Sequence, residues 1–576
     1  MSDKNWEEIG TVIGSTSTDS YGFLLSSLKA SVGDIVITEA EIPSPERGSK
    51  KVFIWGRIVS MDRTNPTFPN EAAAELNRIG AIEETIAMVG SEHLHAEVQI
   101  IGCTNTSDKD KDNITLNPLS YPVKPTSKVL YPDGDIINKL LSNKNDKDSP
   151  IEIGTLINRP DVKIYMSGEG LASRHLAILA QTGGGKTVAS RRIITGLAQY
   201  GHPTVIFDPH GDYLGLSQNL EELKKISGNK NLKVKLLTPK LLATRDKVPD
   251  AISELVSKLG LSMTEAQLGV FYNIVNNEEF VNKLSPTETN LLAHIERLQH
   301  FISKMEVSAM DTKSLGPINR KLRIIVTKLE NMEKTNQKLR SIFMKKGLTF
   351  EDLPDPETNP KKIVNQNQIS ILYLGGYERV VQSTMVSIIL EHLFDNRSSM
   401  ADNRINAFSA IIEEAHNFVP SKSEEKGDSP SLMTIRRLLT EGRKFGTGVI
   451  LISQRPGRLD ETTLAQCNTF LVLKLVNPRD QNWVRNVMEQ MSEQDAKWLK
   501  AFGKGQGFVS GYAVKIPLQV QIKWDEELET KDLGRERFIE ENLERWNADG
   551  KEESDEIEKN NKEHKDLLKK TTRIKL

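Results

Sequence analysis

A glycine-rich stretch followed by a lysine and a threonine carries the clearest chemistry in the sequence. It runs from Gln181 to Thr187 and follows the short apolar segment Leu176–Leu179. Three consecutive glycines, Gly183 to Gly185, lack the Cβ atoms that would keep backbone N–H groups away from phosphate oxygens. A loop of this kind, between a strand and the first turn of a helix, binds nucleotide phosphates. The sequence therefore predicts a P-loop.

The polar residues of this loop have separate expected roles. Lys186 is expected to reach the β- and γ-phosphates of ATP, and the Thr187 hydroxyl to ligate Mg²⁺. Ala180 stands where the P-loop pattern usually has its first glycine, which costs little unless that position needs a positive φ. The alternative is a glycine-rich turn before an ordinary helix, but such a turn rarely also carries the Lys-Thr pair. The expected cofactor-binding residues are Thr182, Gly183, Gly184, Gly185, Lys186, Thr187 and Val188.

Two consecutive glutamates follow another apolar segment, Ala407–Ile412. ATP hydrolysis needs a carboxylate that supports the metal and a base that orients water, both at the end of a buried strand beside the P-loop. We expect Glu413 to support Mg²⁺ through water and Glu414 to polarise the attacking water. Glu413 stands where aspartate is more common. Paired acids often merely end a strand, and this pair indicates a site only in combination with the P-loop.

Three further polar segments have two interpretations each. Gln454 ends an apolar segment and could sense the γ-phosphate, although a simple polar strand end is about equally supported. Arg443 lies at a helix-to-strand turn and could reach a neighbouring subunit's ATP as an arginine finger. Exposed Arg/Lys pairs are usually only solvated, and from the residues alone that interpretation of Arg443 is favoured. Asp208–Tyr213 predicts a turn first and a site second.

Composition limits the class of protein. The 576 residues are too many for one core, and 38% hydrophobic with 27% charged residues is typical of a soluble globular protein of several domains. The sequence contains neither a signal-peptide core nor an apolar run of membrane-spanning length, so we expect a cytoplasmic protein. Its two cysteines, Cys103 and Cys467, are far apart, which suits a reducing compartment. A net charge of −2 means that nucleic acid would have to bind through a local patch or channel.

The pattern along the chain predicts an α/β protein with added segments. Short apolar runs predict an N-terminal β-barrel or sandwich with a docking role, including a helical piece around residues 70–89. Buried strands that alternate with helices predict a mostly parallel sheet covered on both sides, ending in an antiparallel hairpin. The predicted parts are a barrel at 1–160, an ATPase core at 161–247 and 365–525, a helical bundle inserted at 248–364 and a charged helical tail at 526–576.

Two capping boxes in the inserted segment indicate where its helices begin. They are Ser262–Glu265 and Ser285–Glu288, in which a serine precedes a glutamate by three residues. Apolar residues at helical spacing, such as Leu291 and Ile295, are expected to form the core of the bundle rather than a ligand site.

Five motifs in sequence order resemble the HerA family of hexameric ATPases, which is related to FtsK-type DNA pumps. The resemblance covers most of the chain. It implies a RecA-like P-loop core, an N-terminal barrel of the kind shared with rotary ATP synthases, and a helical bundle inside the core. The matching motifs are R-H-x-x-I-L from Arg174, D-P-H-G-D-Y at Asp208–Tyr213, E-E-A-H-N-F at Glu413–Phe418, E-G-R-K-x-G at Glu441–Gly446 and S-Q-R-P at Ser453–Pro456.

The resemblance also implies a function. Proteins of this kind form a homohexameric ring that threads double-stranded DNA through its pore with ATP, as translocases or helicases. It makes Arg443 the preferred trans-acting finger and Gln454 the sensor that couples hydrolysis to movement. It further implies a separate effector on the barrel face, either a nuclease or a sirtuin-like NAD-cleaving protein, in DNA end processing and repair or in antiviral defence, and no membrane.

Two alternatives stay open from the sequence. The ATPase ring could act mainly as a scaffold that assembles and activates its effector, with DNA translocation secondary or absent. It could instead move protein, as related ring ATPases do in secretion or conjugation. The intact set of catalytic residue types favours a working DNA motor.

Overall fold

The computed structural model describes most of the chain. Nearly all described residues belong to one compact unit, Met1–Leu528, and the second unit is Glu529–Leu576. The predicted helical piece around residues 70–89 and nearly all of the predicted tail at 526–576 lie outside the described residues. The described residues are 6–44, 48–64, 93–106, 114–142, 149–305, 312–402, 404–421, 429–488, 491–529 and 546.

Six antiparallel strands near the N-terminus close into a barrel, in the order β1-β2-β5-β4-β3-β6. Alternate residues of the strands face its interior, as Tyr21 and Phe23 do in β2, because successive side chains of a strand point to opposite faces. The predicted barrel is confirmed. Its strands are β1 (Glu7–Thr16), β2 (Ser20–Leu25), β3 (Ile35–Ser44), β4 (Gly48–Thr64), β5 (His93–Asn105) and β6 (Lys128–Tyr131).

The other twelve strands form one mixed sheet, in the order β12-β11-β13-β10-β14-β15-β9-β16-β17-β18-β7-β8. The strands from β12 to β16 in this order are parallel, and the remaining four are antiparallel. The predicted closing hairpin is confirmed as β17 and β18. The strands are β7 (Pro150–Leu156), β8 (Arg159–Ser167), β9 (Leu176–Leu179), β10 (Thr204–Asp208), β11 (Lys233–Thr238), β12 (Phe350–Asp352), β13 (Gln368–Tyr373), β14 (Phe408–Ile412), β15 (Thr447–Ser453), β16 (Thr469–Leu473), β17 (Gln506–Gly511) and β18 (Leu518–Ile522).

Helices connect these strands, and five of them, α6 to α10, lie in sequence between β11 and β12. Within the described ranges, no helix is long and apolar enough to cross a membrane. The α-helices are α1 (Gly134–Leu141), α2 (Gly168–Ser173), α3 (Lys186–Gln199), α4 (Leu214–Gln218), α5 (Leu220–Ser227), α6 (Val248–Lys258), α7 (Glu265–Val275), α8 (Glu278–Lys283), α9 (Leu291–Lys304), α10 (Thr312–Met344), α11 (Arg379–Ser398), α12 (Pro430–Glu441), α13 (Glu461–Leu464), α14 (Pro478–Val487) and α15 (Glu493–Trp498).

Both capping-box predictions were wrong. Helix α7 begins two residues later than predicted. Its N-cap is Thr264 in place of Ser262, and Thr264 forms a capping box with Gln267. Near the second predicted box, Glu288 accepts the N–H groups of its own neighbours, and helix α9 begins only at Leu291, capped by Asn290. A four-residue pattern therefore occurs more often than the cap that it describes.

The hairpin of β7 and β8 belongs to the large sheet, because β7 pairs with β18. The domain boundary that we predict at 160 therefore falls inside this hairpin. The pairing joins residues more than 350 positions apart, and the local sequence carries no sign of it.

Four adjacent parallel strands bring the predicted site segments to one edge of the sheet. Phe207 pairs with Ile412, Ile412 with Leu451, and Ser453 with Leu179. The carboxyl ends of β10, β14, β15 and β9 therefore lie side by side. The P-loop follows the end of β9, Glu413 follows β14, and Gln454 follows β15. All three therefore lie at the edge where open α/β sheets bind ligands.

Candidate nucleotide-binding site

The glycine-rich loop forms a tight turn from the end of β9 into helix α3. Gly183 and Gly185 have φ values of 77° and 101°, in the region that favours glycine. A Cβ atom on Gly185 would lie 3.0 Å from the backbone of Gly505, whose N–H donates to the Gly184 carbonyl at 3.2 Å. The segment that leads into β17 therefore packs against the loop. Ala180 is not among the described residues with a positive φ, which explains why alanine is tolerated there.

Lys186 lies between the two glutamates that follow β14. Its Nζ atom is 2.7 Å from Glu413 Oε1 and 2.8 Å from Glu414 Oε1. All three side chains are buried, with 11% exposure for Lys186 and at most 6% for the carboxylates. Burial alone would lower the pKa of Lys186, but the two carboxylates outweigh it and raise that pKa. Burial raises the pKa of Glu413, against the opposing effect of Lys186.

Glu414 has an unusual backbone conformation for a glutamate. Its φ and ψ of 51° and 48° are left-handed, which costs a residue with a Cβ about 1 kcal/mol. Local contacts maintain it: the Asn417 N–H donates to the Glu414 carbonyl, and His416 Nδ1 lies 3.3 Å from Glu414 Oε2. Such strain is concentrated at functional sites, because the conformation serves to aim a side chain.

Gln454 contacts the P-loop directly. Its Oε1 atom accepts a hydrogen bond from the Thr182 hydroxyl at 2.5 Å, across 272 residues of sequence. The preceding residue, Ser453, lies 3.3 Å from His416 Nδ1. The end of β15 therefore contacts both the phosphate loop and the turn that carries Glu414.

The remaining loop residues lie at the start of helix α3. Thr187 and Val188 occupy its first turn and are half-buried, and Gly185 is its N-cap. The first N–H groups of a helix have no partner within it, and the helix dipole favours an anion there. The glycine loop and this helix end together form a cradle that fits the phosphates of a nucleotide.

Arg443 is the one predicted site residue that does not join this group. It is exposed and lies in the short helix Gly442–Phe445, which precedes β15. Gln454 follows the other end of that seven-residue strand, and at 3.3 Å per residue the two lie roughly 20 Å apart. Arg443 is therefore at the opposite edge of the sheet from the nucleotide site of its own chain.

The family model for the central domain of helicase HerA matches residues 151–393. A Pyrococcus furiosus protein named "DNA double-strand break repair helicase HerA" is 27% identical, over 94% of this chain and 97% of its own. The chain resembles the HerA family. A Methanocaldococcus jannaschii relative named a probable DNA double-strand break repair helicase HerA is also 27% identical, over 79% of this chain and 90% of its own.

Solved structures share less sequence with this chain than the HerA relatives do. VirB4 of Thermoanaerobacter pseudethanolicus is 13% identical, with a TM-score of 0.43 over 67% of this chain and 99% of its own. Its similarity to the HerA helicases, together with the geometry of the site, supports an ATP-hydrolysing enzyme.

The residues of this site fit a nucleotide that brings its own metal. Within the described ranges, no group of three or more His, Cys, Asp or Glu side chains could hold a metal ion. Mg²⁺ in ATPase sites usually takes one or two protein ligands and completes its shell with phosphate oxygens and water. Thr187 and Glu413 are a ligand set of that size.

Sequence reasoning missed one residue of the site. Tyr213 ends the D-P-H-G-D-Y motif, and its hydroxyl donates to Glu413 Oε2 at 2.6 Å. The motif match placed this segment in the family, but nothing in the local sequence indicates which strand end the tyrosine reaches.

Proposed function

We propose that this enzyme is an ATP-driven double-stranded DNA translocase of the helicase type, which works as a homohexameric ring. The observation that carries the proposal is the assembled edge at Lys186, Glu414 and Gln454, in a chain that aligns over 94% of its length with a DNA repair helicase. Relatives that are named DNA double-strand break repair helicases support DNA as the substrate.

In the proposed hydrolysis, the P-loop backbone and Lys186 hold the phosphates of ATP. Thr187 would hold Mg²⁺ directly and Glu413 would support it through water, and the ion would supply charge neutralisation at the phosphates. To bind phosphate, Lys186 exchanges its two carboxylate partners for phosphate oxygens. That exchange leaves Glu414 free of its cation and able to accept a proton from an attacking water.

Gln454 is proposed to report this exchange to the rest of the molecule. Its bond to Thr182 lies at the mouth of the P-loop, where the terminal phosphate would compete for it. A change at Gln454 is passed along β15, which is paired with β14 and β9 over most of its length. The strand thereby connects the nucleotide to surfaces at the far edge of the sheet.

Arg443 is proposed to act on the ATP of a neighbouring subunit. Its exposure and its position at the opposite sheet edge exclude it from the site of its own chain. An arginine finger stabilises charge in the transition state only where it contacts the phosphates, so this role requires a ring or a comparable assembly.

The proposal includes a separate effector on the barrel, either a nuclease or a sirtuin-like NAD-cleaving protein, in DNA repair or antiviral defence. The support is the family resemblance and a closed barrel whose strands have no free edge for sheet extension. Such a barrel would recruit a partner through side chains and loops.

Triplex displacement tests the translocase directly. A labelled third strand is placed at the end of linear duplex DNA, and its release is followed with ATP and the purified protein. Release that requires ATP and is lost in Glu414→Gln supports the proposal. ATP hydrolysis without strand release, alone or with the product of the neighbouring gene present, would instead support an ATPase scaffold.

A further inference from the structure

The turn after β10 is organised around a buried aspartate. Asp208 is fully buried, and its carboxylate accepts backbone N–H groups from each of residues 210 to 213 at distances between 2.7 and 3.2 Å. Gly211, with a φ of 85°, allows the chain to wrap around that carboxylate. The turn is therefore fixed, and it fixes the direction in which Tyr213 leaves the backbone.

Tyr213 is fully buried and its hydroxyl contacts two elements of the nucleotide site. It donates to Glu413 Oε2 at 2.6 Å and lies 2.8 Å from Ser190 Oγ, which is in helix α3. A carboxylate can only accept, so the single tyrosine proton belongs to Glu413. The phenol oxygen then shares the single Ser190 proton with the Thr187 carbonyl, which lies 3.0 Å from Ser190 Oγ. Burial and the Glu413 charge raise the pKa of Tyr213 well above its usual value, which keeps the tyrosine proton in place.

The two oxygens of Glu413 therefore have different partners. Oε1 pairs with Lys186 at 2.7 Å, and Oε2 is held by Tyr213. When Lys186 moves to phosphate, the tyrosine bond is the contact that still fixes the carboxylate. Charge-assisted hydrogen bonds away from water are strong, and partners behind a metal-binding carboxylate determine how well it is oriented.

We propose that Tyr213 is a positioning residue for ATP hydrolysis, which holds Glu413 in the orientation that supports Mg²⁺ and ties it to the P-loop helix through Ser190. This inference rests on the proposed role of Glu413. A purely structural tyrosine would contribute its ring to the core and its hydroxyl to stability, with no specific effect on the metal dependence of nucleotide binding.

The test compares Tyr213→Phe with Tyr21→Phe. Tyr21 is a matched control because it is also buried, in the barrel, and its hydroxyl bonds to Thr38 at 2.9 Å. The affinity of a fluorescent ATP analogue is measured by anisotropy in excess Mg²⁺ and in EDTA, with kcat and KM for ATP measured in parallel.

For Tyr213→Phe we expect the affinity for the nucleotide in EDTA to be unchanged. The factor by which Mg²⁺ increases that affinity should fall by about 10-fold or more. We expect kcat to fall by a similar factor while KM for ATP changes less. Ser190→Ala should move both quantities in the same direction by less, and it serves if Tyr213→Phe does not fold. Tyr21→Phe should change neither quantity.

Variants that retain the wild-type Mg²⁺ effect and kcat would overturn the inference. If Tyr213→Phe, or Ser190→Ala in its place, retains the wild-type Mg²⁺ effect and kcat while Glu413→Gln loses them, the inference about Tyr213 is wrong and the role of Glu413 stands. If Glu413→Gln also retains them, the proposed role of Glu413 has failed, and the inference fails with it.

Discussion

Lys186 and Glu414 are 228 positions apart in sequence, yet their side chains form a buried ion pair at 2.8 Å. The P-loop lysine and the proposed base are thus held together at the edge where β9 and β14 end. In the proposed mechanism the pair opens when Lys186 binds phosphate, and this opening links nucleotide binding to the release of the base.

The first prediction concerns Glu414→Gln. The amide keeps the size of the side chain but cannot accept a proton from water, so we expect kcat for ATP hydrolysis to fall by about 100-fold or more. ATP binding should persist, because the P-loop is unchanged. Steady-state phosphate release and equilibrium binding measure the two quantities. Glu441→Gln, at the exposed end of helix α12, is the matched control and should hydrolyse ATP normally.

The second prediction concerns Arg443. Arg443→Ala should reduce hydrolysis by at least about 100-fold, as loss of an arginine finger does in related phosphoryl-transfer sites. Lys444→Ala, which removes the neighbouring exposed cation of the same short helix, should have little effect.

Mixed rings decide whether Arg443 acts between subunits. Arg443→Ala chains keep their own base, and Glu414→Gln chains keep their finger. Rings assembled from both should therefore regain hydrolysis at interfaces where an intact site meets an intact finger. No recovery in mixed rings, with mixing verified by native mass spectrometry, would contradict a trans-acting role.

The third prediction concerns the buried ion pair between the barrel and the ATPase core. Arg57 in β4 makes two bonds to Asp495 in helix α15, at 2.7 and 2.8 Å, and both side chains are 2% exposed. Removing one partner leaves a buried charge without compensation, which typically costs about 3–5 kcal/mol. We expect Arg57→Met and Asp495→Leu to lower the denaturant midpoint strongly.

The double variant should be more stable than the sum of the two single changes predicts, because it buries no unpaired charge. Lys128→Met breaks an exposed pair with Glu8 in the same barrel and should leave the midpoint unchanged. Strictly additive effects of Arg57→Met and Asp495→Leu would show that the two side chains do not interact.

The fourth prediction concerns stability in mild acid. Burial lowers the pKa of both His175 and His202 to about 4, from about 6.5 in an unfolded chain. The unfolded state then binds protons first, so stability is fully present above pH 6.5 and falls as the pH drops towards 4. Each histidine should contribute up to about 3 kcal/mol to this loss.

His175→Asn tests the assignment. His175 Nδ1 accepts the Val449 N–H at 3.1 Å, and an asparagine oxygen can accept the same bond without titrating. Asparagine also tolerates the positive φ of 33° at this position. The variant should show a smaller fall in the free energy of unfolding between pH 6.5 and 4. His300→Asn, at an exposed helical position, should retain the wild-type fall; equal falls in both variants would refute the assignment.

Local signals were sufficient to predict the strands of the site. Apolar runs that end in polar or glycine-rich segments located β9, β10, β14 and β15, because buried parallel strands are apolar on both faces. Their convergence at one edge followed from the rule that ligands bind at the carboxyl ends of such strands.

The remaining features depend on contacts that the local sequence does not encode. The bond from Tyr213 to Glu413 spans 200 positions, and the bond between Arg57 and Asp495 spans 438. A tyrosine after a turn and an arginine in a strand have many local explanations, and only the packed chain selects one. The helix starts at Glu265 and Leu291 were mispredicted for a related reason, since several nearby residues can serve as caps.

The most direct test of the proposed motor is the steady-state rate of ATP hydrolysis with and without linear double-stranded DNA. It should be measured for the full chain alone and with the product of the neighbouring gene, with Glu414→Gln as the inactive control. The proposal predicts that DNA accelerates hydrolysis several-fold and that Glu414→Gln abolishes it. Hydrolysis at one constant rate, whether or not DNA and the effector are present, would contradict a DNA translocase.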